Sequence, residues 1–244
     1  MKNTNQCGFL YSLPFEEYKS LPGLNQSKLK KILFSTSKQK QGYQIQQAMD
    51  FGNAGHCLLL EPNKFAEFYV CAPKNLNRRG LNGRKRWKEF CELQSGKNVL
   101  ALNEWERLNK IHKVFRINPK IKQFWKRGET EVSMFWKDAK LNLDCKGRMD
   151  WYDGDSMKIV DLKFTNNIGK FSNQKLMAQH FSIQAAWYRQ GVYQLTVNKC
   201  EFLFVFVEKY SPHKISVIEA SEEIILHGEQ AILNLIKRSI KKTW

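Results

Sequence analysis

The segment from residue 141 to residue 164 constrains the fold of this chain more than any other part. Residues 158–164 (KIVDLKF) alternate, which places Asp161 and Lys163 on one face of a strand and apolar side chains on the other. Residues 141–152 also alternate, and the DGDS sequence that follows them is typical of a turn. The pattern therefore predicts an antiparallel hairpin. Its first strand is expected to place Asp150 and Arg148 on one face, and Met149 and Trp151 on the other.

The register of this hairpin decides whether its acidic residues meet. If residues 154–157 form the loop, Asp153 pairs with Lys158 and Asp150 lies directly opposite Asp161. A two-residue turn at Asp153 and Gly154 would instead separate the two carboxylates by roughly 13 Å. We predict the longer loop.

Two facing carboxylates repel each other unless a cation joins them, and Mg²⁺ prefers oxygen ligands and keeps several waters. Asp150 and Asp161 could therefore hold a metal ion, and Lys163 could orient or help to deprotonate an attacking water. Ordinary surface ion pairs would explain the same residues equally well. The Asp-x-Lys motif does not decide between the two, because it also occurs at residues 138–140 and 144–146.

The rest of the chain has patterns typical of an α/β protein. Further strands are predicted at residues 131–137, 199–209 and 214–218, and helices at 48–61, at 181–194 and from Ser221 onward. In the helix at 48–61, Gly52, Ala54 and Gly55 are expected to permit close packing. Because no repeat or low-complexity linker interrupts the chain, we expect one domain over residues 1–244, with a partly helical entry region (1–50). We expect a mixed central sheet flanked by helices, with the catalytic core at 129–218.

The formal net charge of +17 favours a polyanionic partner such as nucleic acid, although an anionic membrane surface would also attract it. No apolar run approaches the roughly 18 residues of a membrane-spanning helix, and residues 1–9 lack the pattern of a signal peptide. We therefore expect a cytoplasmic protein without a membrane partner. The six cysteines form no Cys-x-x-Cys pair, which argues against a zinc ribbon or a redox motif.

The order of several motifs resembles that of the PD-(D/E)XK nucleases. The predicted hairpin, with Asp150 and the sequence Asp161-Leu162-Lys163, resembles the core of that superfamily. Residues 51–62 (FGNAGHCLLLEP) resemble the histidine-bearing helix of RecB-like nucleases, and residues 184–188 (QAAWY) their Gln-x-x-x-Tyr helix. Residues 205–217 resemble the late strand pair of the RecE/exonuclease VIII group. Over roughly residues 20–235 the chain is most similar to RecE-type phage and prophage exonucleases, which implies a restriction-endonuclease-like fold.

This resemblance implies a set of site residues. The metal ligands would be the side chains of His56, Asp150 and Asp161 and the backbone carbonyl of Leu162. The ion would be Mg²⁺, and Mn²⁺ could replace it because imidazole is an unusual partner for Mg²⁺. A satisfied histidine in a tightly packed helix is the structural alternative for His56.

Two further groups of residues accompany these ligands. Gln184 and Tyr188 lie four residues apart on one helical face, and by the resemblance they would approach the active site and the substrate phosphate. A helix with a polar rim is the alternative explanation for them. Glu131, on the strand before the hairpin, is a weaker candidate for a supporting role.

A basic segment at residues 74–88 (KNLNRRGLNGRKRWK) contains seven Lys or Arg residues. We predict a mobile loop that leads into a helix near Trp87–Leu93. Its cations could bind phosphates and its tryptophan could stack on a base, although a solvated run of charges is the alternative. The candidates for DNA contact are Arg78, Arg79, Arg84, Lys85, Arg86 and Trp87.

The resemblance also implies a specific activity, a 5′→3′ exonuclease that acts on double-stranded DNA ends and makes single-stranded tails for recombination. It further implies a homo-oligomer in the form of a tetrameric ring, a single-strand annealing protein as partner, and a phage or prophage origin in a bacterial cell. The rival hypotheses are a structure-specific or restriction-type endonuclease of the same fold, and a non-catalytic DNA-binding protein.

Overall fold

The computed structural model describes residues 7–34, 43–75, 79–138, 142–171, 175–176 and 181–241. Arg78, Lys140 and Leu141 lie outside these ranges. The helices are α1 Phe15–Ser20, α2 Gln26–Phe34, α3 Tyr43–Leu60, α4 Pro62–Phe68, α5 Gly80–Leu93, α6 Leu102–Ile117, α7 Pro119–Phe124, α8 Phe181–Thr196 and α9 Glu222–Lys241. The strands are β1 Gly8–Leu10, β2 Tyr69–Cys71, β3 Asn98–Leu100, β4 Glu129–Asp138, β5 Leu143–Asp153, β6 Lys158–Thr165, β7 Glu201–Glu208 and β8 Ile215–Glu219.

A six-stranded sheet, in the order β1-β4-β5-β6-β7-β8, forms the centre of the described chain. Strands β6 and β7 run parallel, and the other neighbouring pairs run antiparallel. A parallel pair requires a crossover connection, and α8 lies within the one that joins β6 to β7. Strands β2 and β3 form a separate parallel pair. The predicted mixed sheet with flanking helices is confirmed.

Helices cover both faces of this sheet. On one face the strands share a hydrophobic core with residues of α2, α8 and α9, and on the other with residues of α3, α6 and α7. The side chains of β6 alternate between the two cores, with Ile159 in the first and Val160 and Leu162 in the second. The predicted alternation of this strand is therefore confirmed, and Asp161 belongs to the face covered by α8.

The alternation predicted for β5 is wrong. Met149 and Trp151 were expected on one face, yet Met149 lies in the core beneath α8 and Trp151 in the core beneath α3 and α6. The break falls at Asp150. On the neighbouring strand, Glu131 occupies the facing position and has a left-handed backbone with φ of 55°. The change of face in β5 therefore coincides with a local irregularity in β4.

The basic segment also differs from the prediction in its second half, because residues 80–88 are helical rather than part of a loop. Helix α5 begins at Gly80, seven residues before the predicted start at Trp87. A single glycine inside a helix costs only about 1 kcal/mol, and the arginines and lysines around Gly83 are good helix formers. None of the residues of α5 is buried. No helix in the described ranges has both the length and the apolar character needed to cross a membrane.

The close packing predicted for α3 occurs at Ala54, which is fully buried, and at Gly55. A Cβ added to Gly55 would lie 2.3 Å from the Phe164 ring on β6. That ring cannot move freely, because it packs edge-on against Phe51 with ring centroids 6.0 Å apart. At Gly52, by contrast, an added Cβ would meet nothing within 4 Å. Only one of the two glycines therefore sets the distance between α3 and β6.

We expect Gly55→Ala to lower the free energy of unfolding by about 1–3 kcal/mol, because the new methyl group overpacks the contact with Phe164. Gly52→Ala is the matched control on the same helix, and it should raise the free energy of unfolding by up to about 1 kcal/mol. Urea denaturation of both variants measures the difference. Equal stability of the two variants would contradict the packing described for α3.

Candidate active site

The hairpin of β5 and β6 has the predicted register. Asp153 pairs with Lys158, and the ladder continues to Trp151 and Val160. The Asp153 carboxylate stabilises the four-residue loop, because it accepts hydrogen bonds from the Asp155 N–H (3.0 Å) and the Ser156 hydroxyl (2.6 Å). A two-residue turn would not provide these bonds.

Beyond the Trp151–Val160 pair, a side-chain oxygen replaces a backbone carbonyl as the acceptor of a hydrogen bond between the strands. The Leu162 N–H donates to Oδ2 of Asp150 at 2.7 Å. Asp150 therefore lies in the gap where β5 and β6 separate, beside Asp161, whose side chain is almost completely buried. This gap, beyond the Trp151–Val160 pair, is the fork between β5 and β6. The two carboxylates that the sequence predicted to face each other are brought together here.

His56 reaches the same fork from α3. Its Nδ1 lies 3.6 Å from Oδ2 of Asp150, and its ring lies close to the Leu162 backbone. Burial and, secondarily, the Lys163 charge lower the pKa of His56, which favours the neutral imidazole. The neutral form is the one that binds metals.

Lys163 and Gln184 surround the carboxylate of Asp161. The Lys163 Nζ lies 2.5 Å from Oδ2, and the Gln184 Nε2 donates to Oδ1, also at 2.5 Å. Oδ2 is buried and accepts no hydrogen bond of regular geometry, so its contact with Lys163 is an ion pair only. Tyr188 is buried one helical turn after Gln184, and the two side chains interact. The Gln184–Tyr188 pair thus supports Asp161 from α8, and Tyr188 is not on an open surface.

Burial and a neighbouring carboxylate raise the pKa of two acids at the fork, Asp150 and Glu131. Burial and the Asp161 carboxylate raise the pKa of Asp150 to about 7, because Lys163 and the Leu162 N–H offset only part of these effects. Burial and Asp150 likewise raise the pKa of Glu131. Glu131 also forms an ion pair with Arg148, with Oε2 2.5 Å from Nε. This concentration of negative charge favours a cation in the fork.

The residues present fit a divalent cation. The donor set consists of two carboxylates, a neutral imidazole and the Leu162 carbonyl, and one buried oxygen of Asp161 lacks a hydrogen bond. In the described ranges, however, no three His, Cys, Asp or Glu side chains are already arranged around a common metal position. The two carboxylate oxygens of Asp161 contact Lys163 and Gln184.

The other two Asp-x-Lys motifs have structural roles. Lys146 is buried and donates hydrogen bonds to the carbonyls of Tyr18 (2.8 Å) and Leu21 (2.5 Å) at the end of α1. Asp138 is buried and accepts a hydrogen bond from Gln190 at 2.6 Å. Position in the sheet, and not the motif itself, distinguishes Asp161 and Lys163.

Lys30 is a residue near the site that the sequence did not reveal. This half-buried lysine lies on α2, near Lys163 and Asp161. Burial and, secondarily, the Lys163 charge lower its pKa to about 8, while Asp161 opposes the shift. Only the fold brings this second cation to the fork, and no motif in α2 marked it.

The predicted DNA-contacting residues lie elsewhere. Arg84, Lys85 and Arg86 are exposed on α5, and Arg79 is the residue directly before this helix. Trp87 is half-buried and packs near Phe90, with ring centroids 5.9 Å apart. These residues form a basic surface helix outside the group of residues around the fork.

Comparison with known proteins gives this site a family. The family described as a PDDEXK-like domain of unknown function (DUF3799) matches residues 18–243. This chain belongs to that family. Its membership in the PD-(D/E)XK superfamily, predicted from the order of the motifs, is confirmed, and nucleases of that superfamily typically use divalent metals.

A solved structure shares the overall fold of this chain. The crystal structure of a "putative exonuclease" from Eubacterium rectale aligns with a TM-score of 0.64 at 15% identity, covering 93% of this chain and 86% of that one. The crystal structure of SSO0001 covers 62% of this chain and 68% of that one at 15% identity, and its TM-score of 0.32 is too low to support an argument. No curated protein matches the chain in sequence.

Proposed function

We propose that this PDDEXK-like protein is a metal-dependent deoxyribonuclease whose active site is the fork between β5 and β6. The observation that carries the proposal is the convergence of Asp150, Asp161, His56 and Lys163 at that fork. The folding of the hairpin, whose strands are separated by the Asp150 carboxylate, gives few structural reasons for these charged side chains to lie together. The confirmed superfamily supports nuclease chemistry.

Each residue has a role in this proposal. Asp150, Asp161, His56 and the Leu162 carbonyl would hold Mg²⁺, and Mn²⁺ would substitute for it. When bound, the ion would supply a Lewis acid and lower the pKa of a bound water. Gln184 fixes the orientation of Asp161 through its hydrogen bond to Oδ1.

Lys163 is the group that can meet the substrate. Its side chain is about a quarter exposed (25%), whereas that of Asp161 is almost inaccessible (2%). The ammonium group could therefore offset charge on a phosphate and orient an attacking water without leaving the fork. Lys30 adds a second positive charge beside it.

The proposed substrate is double-stranded DNA with free ends. The net charge of +17 and the exposed cations of α5 support a polyanionic substrate. The RecE-type order of motifs supports the finer proposal, namely 5′→3′ digestion that leaves single-stranded tails. The same likeness supports a tetrameric ring and a single-strand annealing protein as partner.

Asp161→Asn should abolish Mg²⁺-dependent digestion of linear DNA, with a loss of at least about a hundredfold, because the amide cannot supply the charge of a metal ligand. Asp138→Asn is the matched control, since Asp138 is also a buried aspartate that accepts a hydrogen bond from a glutamine of α8. It should retain activity per folded molecule. The release of acid-soluble nucleotides from linear DNA measures the activity of both variants. Undiminished digestion by Asp161→Asn would refute the site.

Linear and covalently closed circular DNA of the same sequence should be digested very differently. An exonuclease requires an end, so we expect the linear duplex to be converted to single-stranded DNA and free nucleotides, and the circles to stay intact in the same reaction time. Gel electrophoresis after incubation with Mg²⁺ measures the two substrates. Linearisation of the circles by the wild-type protein, absent in Asp161→Asn, would instead indicate an endonuclease of the same fold.

A further inference from the structure

A second basic region lies in α6, α7 and the turn that follows them. Between Arg107 and Gly128 the chain contains eight Lys or Arg residues and no Asp or Glu. This stretch of 22 residues therefore carries a net charge of +8, almost half of the total of +17. It is separate from the basic residues of α5. Such a one-sided charge attracts polyanions.

A cavity opens within this region, between α3, α4, α6 and α7. Its volume is about 470 Å³, within the range of ligand-binding pockets. Leu60, Phe115 and Trp125 supply apolar and aromatic walls, whereas Arg116, Lys122 and Lys126 are exposed at its rim. None of the residues that line the cavity is acidic. An aromatic interior with a cationic rim fits a flat, uncharged ring attached to negative groups.

Two connections place this cavity near the fork. The ring of Trp125 stacks on that of Trp151, with centroids 5.6 Å apart, and Trp151 directly follows Asp150. Leu60 lies on α3 four residues after His56, which is about 6 Å along a helix axis. The cavity and His56 therefore share the layer of helices on one face of the sheet.

We propose that this cavity binds a base of single-stranded DNA, while Arg116, Lys122 and Lys126 bind the neighbouring phosphates. The proposal rests on the proposed function in one respect, because it takes DNA as the polyanion. Bases in a duplex are stacked within the helix and are not available to enter a pocket, whereas those of a single strand can stack on aromatic side chains. The strand bound here would be one that has separated from its complement close to the active site.

Binding of labelled oligothymidylate to the full chain in EDTA tests this proposal without cleavage. An abasic oligomer of the same length presents the same phosphates and no bases. Fluorescence anisotropy should show at least about fivefold weaker binding of the abasic oligomer, because one stacked base is lost. This comparison requires no variant and therefore does not depend on the folding of one.

The double variant Lys122→Gln, Lys126→Gln should bind oligothymidylate at least about tenfold more weakly. Its plot of log affinity against log salt concentration should be shallower by roughly 1.4, since each lost phosphate contact on a single strand contributes about 0.7. Lys199→Gln, Lys237→Gln is the matched control, with the same change of charge at exposed lysines away from the cavity. It should bind almost as tightly as the wild type.

Three results would overturn the proposal. The first is equal affinity of the wild type for oligothymidylate and for the abasic oligomer, and the second is an equal loss of affinity in the two double variants. The third is displacement of bound oligothymidylate by polyglutamate as effectively as by unlabelled oligothymidylate. The last would show a site for acidic polypeptides. Binding through the cavity by a protein that digests no DNA would refute the proposed function and leave this inference standing. Normal digestion together with any of the three results would refute this inference and leave the proposed function standing.

Discussion

The hydrogen bond from the Leu162 N–H to the Asp150 carboxylate is the interaction on which the arrangement of the site depends. It replaces a backbone bond at the point where the β5–β6 ladder ends, and it holds a charged group inside the sheet. Because Leu162 is completely buried in the core beneath α3, its amide is rigid. Asp150 is therefore fixed next to Asp161 and His56 by the packing of the core.

This arrangement has an electrostatic cost, which the surrounding residues reduce. Two carboxylates removed from water repel each other, and burial raises the pKa of Asp150. Lys163 and Gln184 compensate Asp161, and Arg148 compensates Glu131. Such groups of acids and bases with shifted pKa values are typical of active sites, where the arrangement serves the reaction rather than the stability of the fold. A divalent cation between Asp150 and Asp161 would remove most of the remaining repulsion.

The sequence predicted the parts of the site that depend on local patterns. The alternation in β6 and the turn after Asp153 predicted the hairpin but were compatible with two registers, and the hydrogen bonds of the Asp153 side chain in the structure stabilise the longer loop. The alternation predicted for β5 fails at Asp150, opposite Glu131, and the left-handed conformation of Glu131 on the neighbouring strand is not encoded in β5 itself. Lys30 and the cavity beside Trp125 were missed for a related reason. Each depends on helices that are far apart in the sequence and meet only in the fold.

Binding of Mn²⁺, measured by isothermal titration calorimetry, tests the central claim most directly, because it measures the site without substrate. The wild-type protein should bind the ion, and Asp150→Asn should bind it at least about tenfold more weakly because a charged oxygen ligand is lost. Asp155→Asn removes the same charge from the exposed turn of the same hairpin, and it should bind as the wild type does. Equal affinity of Asp150→Asn and the wild type would contradict a metal site in the fork.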